Sequence, residues 1–305
     1  MKYVRPLFLF LPPIALCLWS ADPRKFVLVN AALQFVLFLF VVHIPAYRTG
    51  RMSYVDIGWP LGLAIIGALV FALGTTDIVR KSVIGGIYLF MGLRMGGMAL
   101  VYLFRGAFNQ ELSRYRFQRI RWGKEGKDNQ SLAMQVDILL QAVANVSYLS
   151  LPALFMAFAP PGDLHWAEIA ALALWLLSFA LETIADRQKQ GFITRARAAG
   201  DLRAVCNVGL WRYTRHPNYF FEWMVWNSLI LLSIPAFLSL HGRMEIYIWI
   251  PLGLCLLFIS RIMYNTLVLF TGAIPSEYYS RKRRPGYKEY RRRTNMFFPG
   301  PVKKA

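Results

Sequence analysis

An all-α fold, a polytopic bundle of about eight membrane-spanning helices, is what this sequence predicts, on three observations. Hydrophobic residues fill 56% of its 305 positions and mean hydropathy is +0.40. Apolar runs of spanning length recur along the chain. The Lys and Arg residues that give a net charge of +19 gather in alternate connections between those runs.

The spans are predicted at roughly 6–20, 26–46, 57–74, 82–104, 132–159, 167–184, 220–240 and 244–270, in a single integral membrane domain over 1–305. The first falls short of the ~20 residues a crossing needs and carries Pro12-Pro13, so it reads as a broken or interfacial segment. It does not read as a cleaved leader, because Met-Lys-Tyr-Val-Arg is followed at once by proline and no small-x-small site comes after the apolar stretch. The second span ends at His43 and Tyr47, residue types that suit an interface. Tyr54-Val-Asp-Ile-Gly-Trp-Pro60 leads into the third and places Asp56 at a helix start, where an acid suits the dipole. The fourth closes on Tyr102-Leu-Phe-Arg105, which puts a phenol and a guanidinium on one face. In the sixth, Glu182 and Asp186 stand at i and i+4 where the helix leaves the membrane. With His43, Arg94, Asp137, Glu222 and Arg261, the acids Asp56 and Glu182 form a set of polar residues at membrane depth or at span ends. Such residues need a partner or a function. For each alone, a structural ion pair or a snorkelling end group serves as well as catalysis.

The charge distribution excludes a nucleic-acid binder. Residues 105–131 hold seven Lys/Arg, 185–219 seven and 271–305 ten, whereas 160–166 holds none and 239–245 one. That asymmetry is the positive-inside pattern and predicts both termini and the three basic segments in the cytoplasm, in a bacterial inner membrane or the endoplasmic reticulum. Arg281-Lys282-Arg283-Arg284 suits anionic headgroups of the membrane lipids. Cys17, Cys206 and Cys255 lie far apart without metal spacing, so neither a disulfide framework nor a metal site is implied. No dinucleotide glycine fingerprint, Walker sequence or HExxH appears.

Gly209-Leu-Trp-Arg-Tyr-Thr-Arg-His-Pro-Asn-Tyr-Phe-Phe-Glu222 is the segment richest in chemistry. Pro217 restricts His216 to extended backbone and suits the first position of a helix, so a loop ending at His216 and a helix starting at Pro217 are predicted. The free N–H groups of that helix would share a space with Arg212, Arg215 and His216, an arrangement that holds a phosphate or carboxylate.

That segment, with Glu182-Thr-Ile-Ala-Asp186 and Arg284-Pro-Gly-Tyr-Lys-Glu-Tyr-Arg-Arg-Arg-Thr-Asn-Met-Phe-Phe-Pro299, resembles the steroid 5α-reductase superfamily, and most closely its DUF1295 branch. The resemblance spans 54–300, dense over 175–300 and thin over 54–105, where Asp56-Ile-Gly-Trp-Pro and Tyr102-Leu-Phe-Arg105 carry it. It implies an NADPH-dependent reductase of an activated C=C bond in a steroid-like or other lipid substrate. By position, Glu182, Asp186, Asn218, Glu222, Arg261, Tyr287 and Arg291 then match cofactor-contacting residues, alongside Arg105, Arg212, Arg215 and His216. Tyr102, paired with the acid Asp56, matches the hydroxyl that stabilises charge on the substrate carbonyl as hydride reaches the β-carbon. The chain departs from the steroid reductases at Asp56, where they carry Glu before Leu-Pro. Isoprenylcysteine and phospholipid methyltransferases, which use S-adenosylmethionine, share an Arg-His-Pro-x-Tyr segment and supply a second reading. A non-catalytic lipid-binding membrane protein is the third. Against the methyltransferases stand the Asn218-to-Glu222 spacing and Thr271-Gly-Ala-Ile-Pro-Ser-Glu-Tyr278, where those enzymes carry a Glu-Glu pair.

Overall fold

A computed structural model describes residues 2–19 and 21–304. Its elements are the helices α1 (Leu11–Trp19), α2 (Ala21–Leu37), α3 (Ile44–Thr49), α4 (Val55–Leu73), α5 (Ile78–Phe104), α6 (Ser113–Lys124), α7 (Gln130–Val146), α8 (Leu151–Phe158), α9 (Trp166–Ala198), α10 (Pro217–Ser239), α11 (Ile246–Asn265), α12 (Ala273–Arg283) and α13 (Tyr287–Arg293). Among the described residues there is no strand beyond two isolated bridges. Seven segments are long and apolar enough to cross a membrane: Pro23–Thr49, Met52–Leu73, Ile78–Phe104, Gln130–Phe158, Trp166–Ala198, Pro217–Ser239 and Ile246–Arg283. The chain is thus a polytopic helical membrane protein. The first of the eight predicted spans is the exception, because its apolar helix, Arg5–Trp19, is shorter than the others.

Packing divides the chain into two compact units, one of Met1–Glu168 with Ile230–Ile259 and one of Ile169–Leu229 with Ser260–Ala305. In the first unit, α4 and α5 form a hairpin whose backbones nearly touch. A side chain at Gly92 of α5 would place its Cβ 2.4 Å from the Ala64 nitrogen and 2.6 Å from the Pro60 carbonyl of α4. Small residues at such crossings are the usual means by which helices associate in lipid, where no hydrophobic drive separates one apolar face from another. A buried amide cluster adds polar contacts: Gln34 donates to Asn30 Oδ1 at 3.1 Å and the Gly62 carbonyl at 2.8 Å, and Asn145 donates to Gln34 Oε1 and the Trp59 carbonyl.

Between α2 and α3 the helix widens into a π-turn over Phe38–His43. Pro45 has no N–H to return to Val41, and Ile44 donates instead to the Leu39 carbonyl, five residues back. His43, predicted at the interface, is half-buried with Nδ1 2.5 Å from Gln135 Oε1 of α7. At the start of α5, the buried Arg80 donates to both Glu168 carboxylate oxygens at 3.1 Å, to Asp77, and to the carbonyls of Pro160, Gly162 and Asp163. These partners offset the cost of taking a guanidinium out of water.

In the second unit, α9 is 33 residues long, about 50 Å at 1.5 Å per residue. A hydrocarbon layer is only about 30 Å thick, so the charged last third of α9 extends beyond it. The segment from Ile246 to Arg283, at 38 residues, is likewise too long for one crossing. A π-turn over Thr266–Phe270 and Gly272 separate its apolar part from the basic α12. The second unit carries 18 Lys/Arg against 6 Asp/Glu, so most of the chain's positive excess lies in it.

Candidate functional site

The loop before α10 is fixed by residues that lie much later in the chain. As the proline predicts, α10 begins at Pro217, and Phe220 donates to the His216 carbonyl at 3.0 Å. Thr214 forms a parallel bridge with Asn295 and donates through Oγ1 to the carbonyls of Met296 at 3.1 Å and Phe297 at 2.9 Å. The Arg215 N–H donates to the Asn295 carbonyl and the Gly300 N–H to the Tyr213 carbonyl. Tyr290 donates to the Trp211 carbonyl, and Trp211 Nε1 donates to the Ala185 carbonyl of α9 at 2.9 Å.

At the centre lies Glu277 of α12. Its Oε1 accepts from Arg215 Nε at 2.6 Å and lies 3.4 Å from His216 Nε2, and its Oε2 is 3.2 Å from Arg291 Nε. Arg215 also donates to the carbonyls of Arg291 and Thr294. Arg215, His216 and Glu277 are buried. The residues predicted to face an external anion therefore enclose one that the chain supplies itself. Arg212 does not join them: it is exposed, and its carbonyl accepts from Thr294 Oγ1. Burial, opposed by the Glu277 carboxylate 3.4 Å away and assisted by the nearby positive charges of Lys189 and Arg215, holds the His216 imidazole below the ordinary histidine range. It is neutral at pH 7. Burial raises the phenols of Tyr287 and Tyr290, which pack against each other at 5.7 Å between ring centres.

The remaining predicted residues are distributed as follows. Asn218 and Glu222 are half-buried one turn apart on α10, and the Asn218 side-chain oxygen is buried without a hydrogen-bond partner among the described residues. Glu182 is half-buried and Asp186 exposed, one turn apart on α9. Arg261 is exposed, its guanidinium 5.9 Å from the Tyr264 ring centre. Arg291 is drawn to Glu277, and Tyr287 is buried beside Tyr290.

In the first unit, the acid of the predicted catalytic pair is engaged by α6. Asp56 forms a salt bridge with Arg114 and accepts from the Tyr115 hydroxyl, both on α6. Through these two contacts Asp56 ties α6 to α4. Burial, reinforced by the Asp56 charge, raises the Tyr115 phenol well above its ordinary value. Tyr102 is 48% exposed and Arg105, just past the end of α5, is exposed too.

Glu277, Tyr290 and Tyr115 were not predicted as site residues. The one signal for Glu277 was that it and Glu289 are the two acids of a strongly basic segment, 271–305; Tyr290 shares a helix face with Tyr287. Nothing in the sequence marks Tyr115 apart from the other aromatics of its loop.

No curated protein and no solved structure matches the chain. The family described as a protein of unknown function, DUF1295, matches residues 39–294. Because that match takes in α3 to α13 entire, with Glu277 and all the residues that surround it, the chain belongs to the DUF1295 family.

Proposed function

We propose that this protein is a membrane-embedded, NADPH-dependent reductase of an activated C=C bond in a lipid or steroid-like substrate. The resemblance of the 175–300 region to the steroid 5α-reductase superfamily suggests the activity. The observation that supports it most is the Asn218 oxygen, a buried acceptor with no partner among the described residues, at the start of α10, one turn before Glu222. An unpaired buried acceptor is costly, and the amide and hydroxyl donors of a dinucleotide would satisfy it. NADPH, when bound, supplies the hydride. In this reading the Arg215–Glu277–Arg291 cluster is a positioning device that holds the backbone before α10, leaving Arg212, Asn218 and Glu222 to bind. Tyr102, whose hydroxyl makes no hydrogen bond among the described residues, donates to the substrate carbonyl. Tyr115 has no such freedom, since its proton is already directed at Asp56.

The test is thermal stability of the purified protein in detergent, because only a ligand that binds the native state raises it. NADPH is expected to raise the midpoint more than NADH or S-adenosylmethionine. Tyr102→Phe is expected to keep the NADPH shift while losing turnover of an enone substrate by about 10²-fold, the scale of a lost oxyanion donor. A shift with S-adenosylmethionine alone would replace the reductase by a methyltransferase.

A further inference from the structure

Beyond the last apolar turn of α9, an open cleft of about 390 Å³ is lined by Arg187, Gln188, Gly191 and Arg195 of the helix and by Val208 and Gly209 of the loop that follows. The helix side of this cleft is a stripe at i, i+4 and i+8. Such residues fall within an arc of roughly 80° over about 12 Å of helix, so two guanidinium groups flank a position that has no side chain. A Cβ at Gly191 would meet Arg195 Nη1 at 3.6 Å and nothing else within 4 Å, which leaves the space over the helix backbone open. The opposite wall, Val208 and Gly209, is closed by the Gln188 amide. Gly209 has φ +52°, and a Cβ there would come within 2.4 Å of Gln188 Oε1, the atom that accepts the Leu210 N–H at 2.9 Å. That bond fixes the loop against the helix and sets the width of the cleft.

Unlike Arg215 and Arg291, Arg187 and Arg195 are exposed and have no carboxylate partner among the described residues. None of the cleft's lining residues was among those predicted to bind a cofactor. Two unpaired guanidinium groups around a floor of glycine suit a compact, multiply charged oxyanion, which accepts bidentate hydrogen bonds from each. An apolar ligand finds little to contact there.

We infer that Arg187, Gly191 and Arg195 form a binding site for a phosphate ester. Two sources share that chemistry: the 2′-phosphate of NADPH, which rests on the reductase reading, and the headgroup of an anionic lipid, which does not.

The experiment compares wild type with Arg187→Gln/Arg195→Gln and with Gly191→Leu, which fills the floor. Since the two arginines are exposed and unpaired, the double variant is expected to melt at the wild-type temperature without ligand, a control that a structural role would fail. Three probes are used by thermal shift and titration: 2′,5′-ADP against 5′-AMP, NADPH against NADH, and nanodiscs of phosphatidylcholine with or without phosphatidylglycerol. Wild type is expected to prefer 2′,5′-ADP over 5′-AMP. The double variant is expected to lose that preference with a Kd weaker by about 100-fold, tenfold for each charge-assisted contact. A response to phosphatidylglycerol alone, lost in both variants, supports the cleft with the lipid as its source. If NADPH and NADH stabilise wild type and double variant equally, the dinucleotide reading survives and the cleft is overturned. A 2′,5′-ADP or phosphatidylglycerol response that persists undiminished in the double variant, or no response to any probe, overturns it as well.

Discussion

Replacing Glu277 by glutamine keeps the shape of the side chain but leaves the buried Arg215 guanidinium without its anion. Removing one partner of a buried pair costs about 3–5 kcal/mol, and Glu277→Gln is expected to lower stability by that amount in denaturant or thermal melts. Arg291→Gln tests the alternative that every member of the cluster matters equally. Its side chain is 39% exposed, and an exposed ion pair contributes about 0–1 kcal/mol, so this variant is expected to stay close to wild type. His216 adds a pH dependence whose sign is fixed. The folded protein holds it neutral, below the ordinary value of 6.5 that the unfolded chain has, so the unfolded state takes up the proton first. This contribution to stability is complete above pH 6.5 and is lost as pH falls below 6.5 towards the lowered folded value. Melting temperature in detergent measured from pH 7.5 down to 5 is expected to fall along this limb, and His216→Gln to flatten it. An unchanged slope in His216→Gln would assign the fall to other groups.

The α4–α5 hairpin is fixed by contact between backbones more than by side chains. Gly92→Leu must push the Ala64 nitrogen and the Pro60 carbonyl aside, and rigid atoms of this kind do not yield as a flexible side chain does. It is expected to destabilise by about 1–3 kcal/mol or more, the range of overpacked sites. Gly97→Leu is the control, for a Cβ at Gly97 meets nothing within 4 Å, and it is expected to express and melt like wild type. Equal loss in both would point to helix propensity instead of the crossing. The element scale is also where the sequence was most legible. Apolar run length located the starts of seven long helices to within about five residues, though Trp166–Ala198 and Ile246–Arg283 continue well past their predicted ends at 184 and 270, and Pro217 located the start of α10. What it could not convey was side-chain direction. Arg215 and Arg212 stand three apart with the same chemistry, yet one turns inward to Glu277 and the other to solvent. Asp56 takes its phenol from Tyr115 rather than Tyr102 because α6, a polar connection to the eye, packs its Tyr115, Gln118 and Trp122 face onto acids of α4 and α7.

For the whole molecule, the loop charges predict a topology that two reporters can check. One fused after Ala305 is expected on the cytoplasmic side and one inserted at Gly162 on the opposite side, since 271–305 carries ten Lys/Arg and 160–166 none. Both on one side would mean that the number of crossings between them is even. The charge pattern was readable because it is a property of segments. The anion that neutralises Arg215 was not, because it depends on a contact between positions 62 residues apart. That separation bears on how the protein is made. Arg215, Thr214 and Trp211 emerge from the ribosome before any of the partners at Glu277, Tyr290, Thr294 or Phe297, which follow 62 to 83 residues later. At roughly 5–20 residues per second the nascent loop waits about 3 to 17 s, with a charged side chain not yet neutralised and α10 already available for insertion. A translation stop after α12 but before Thr294 would therefore release a chain with all seven long apolar helices and with Glu277 to neutralise Arg215, but without the Thr294-to-Phe297 carbonyls that hold Thr214 and Arg215 in place.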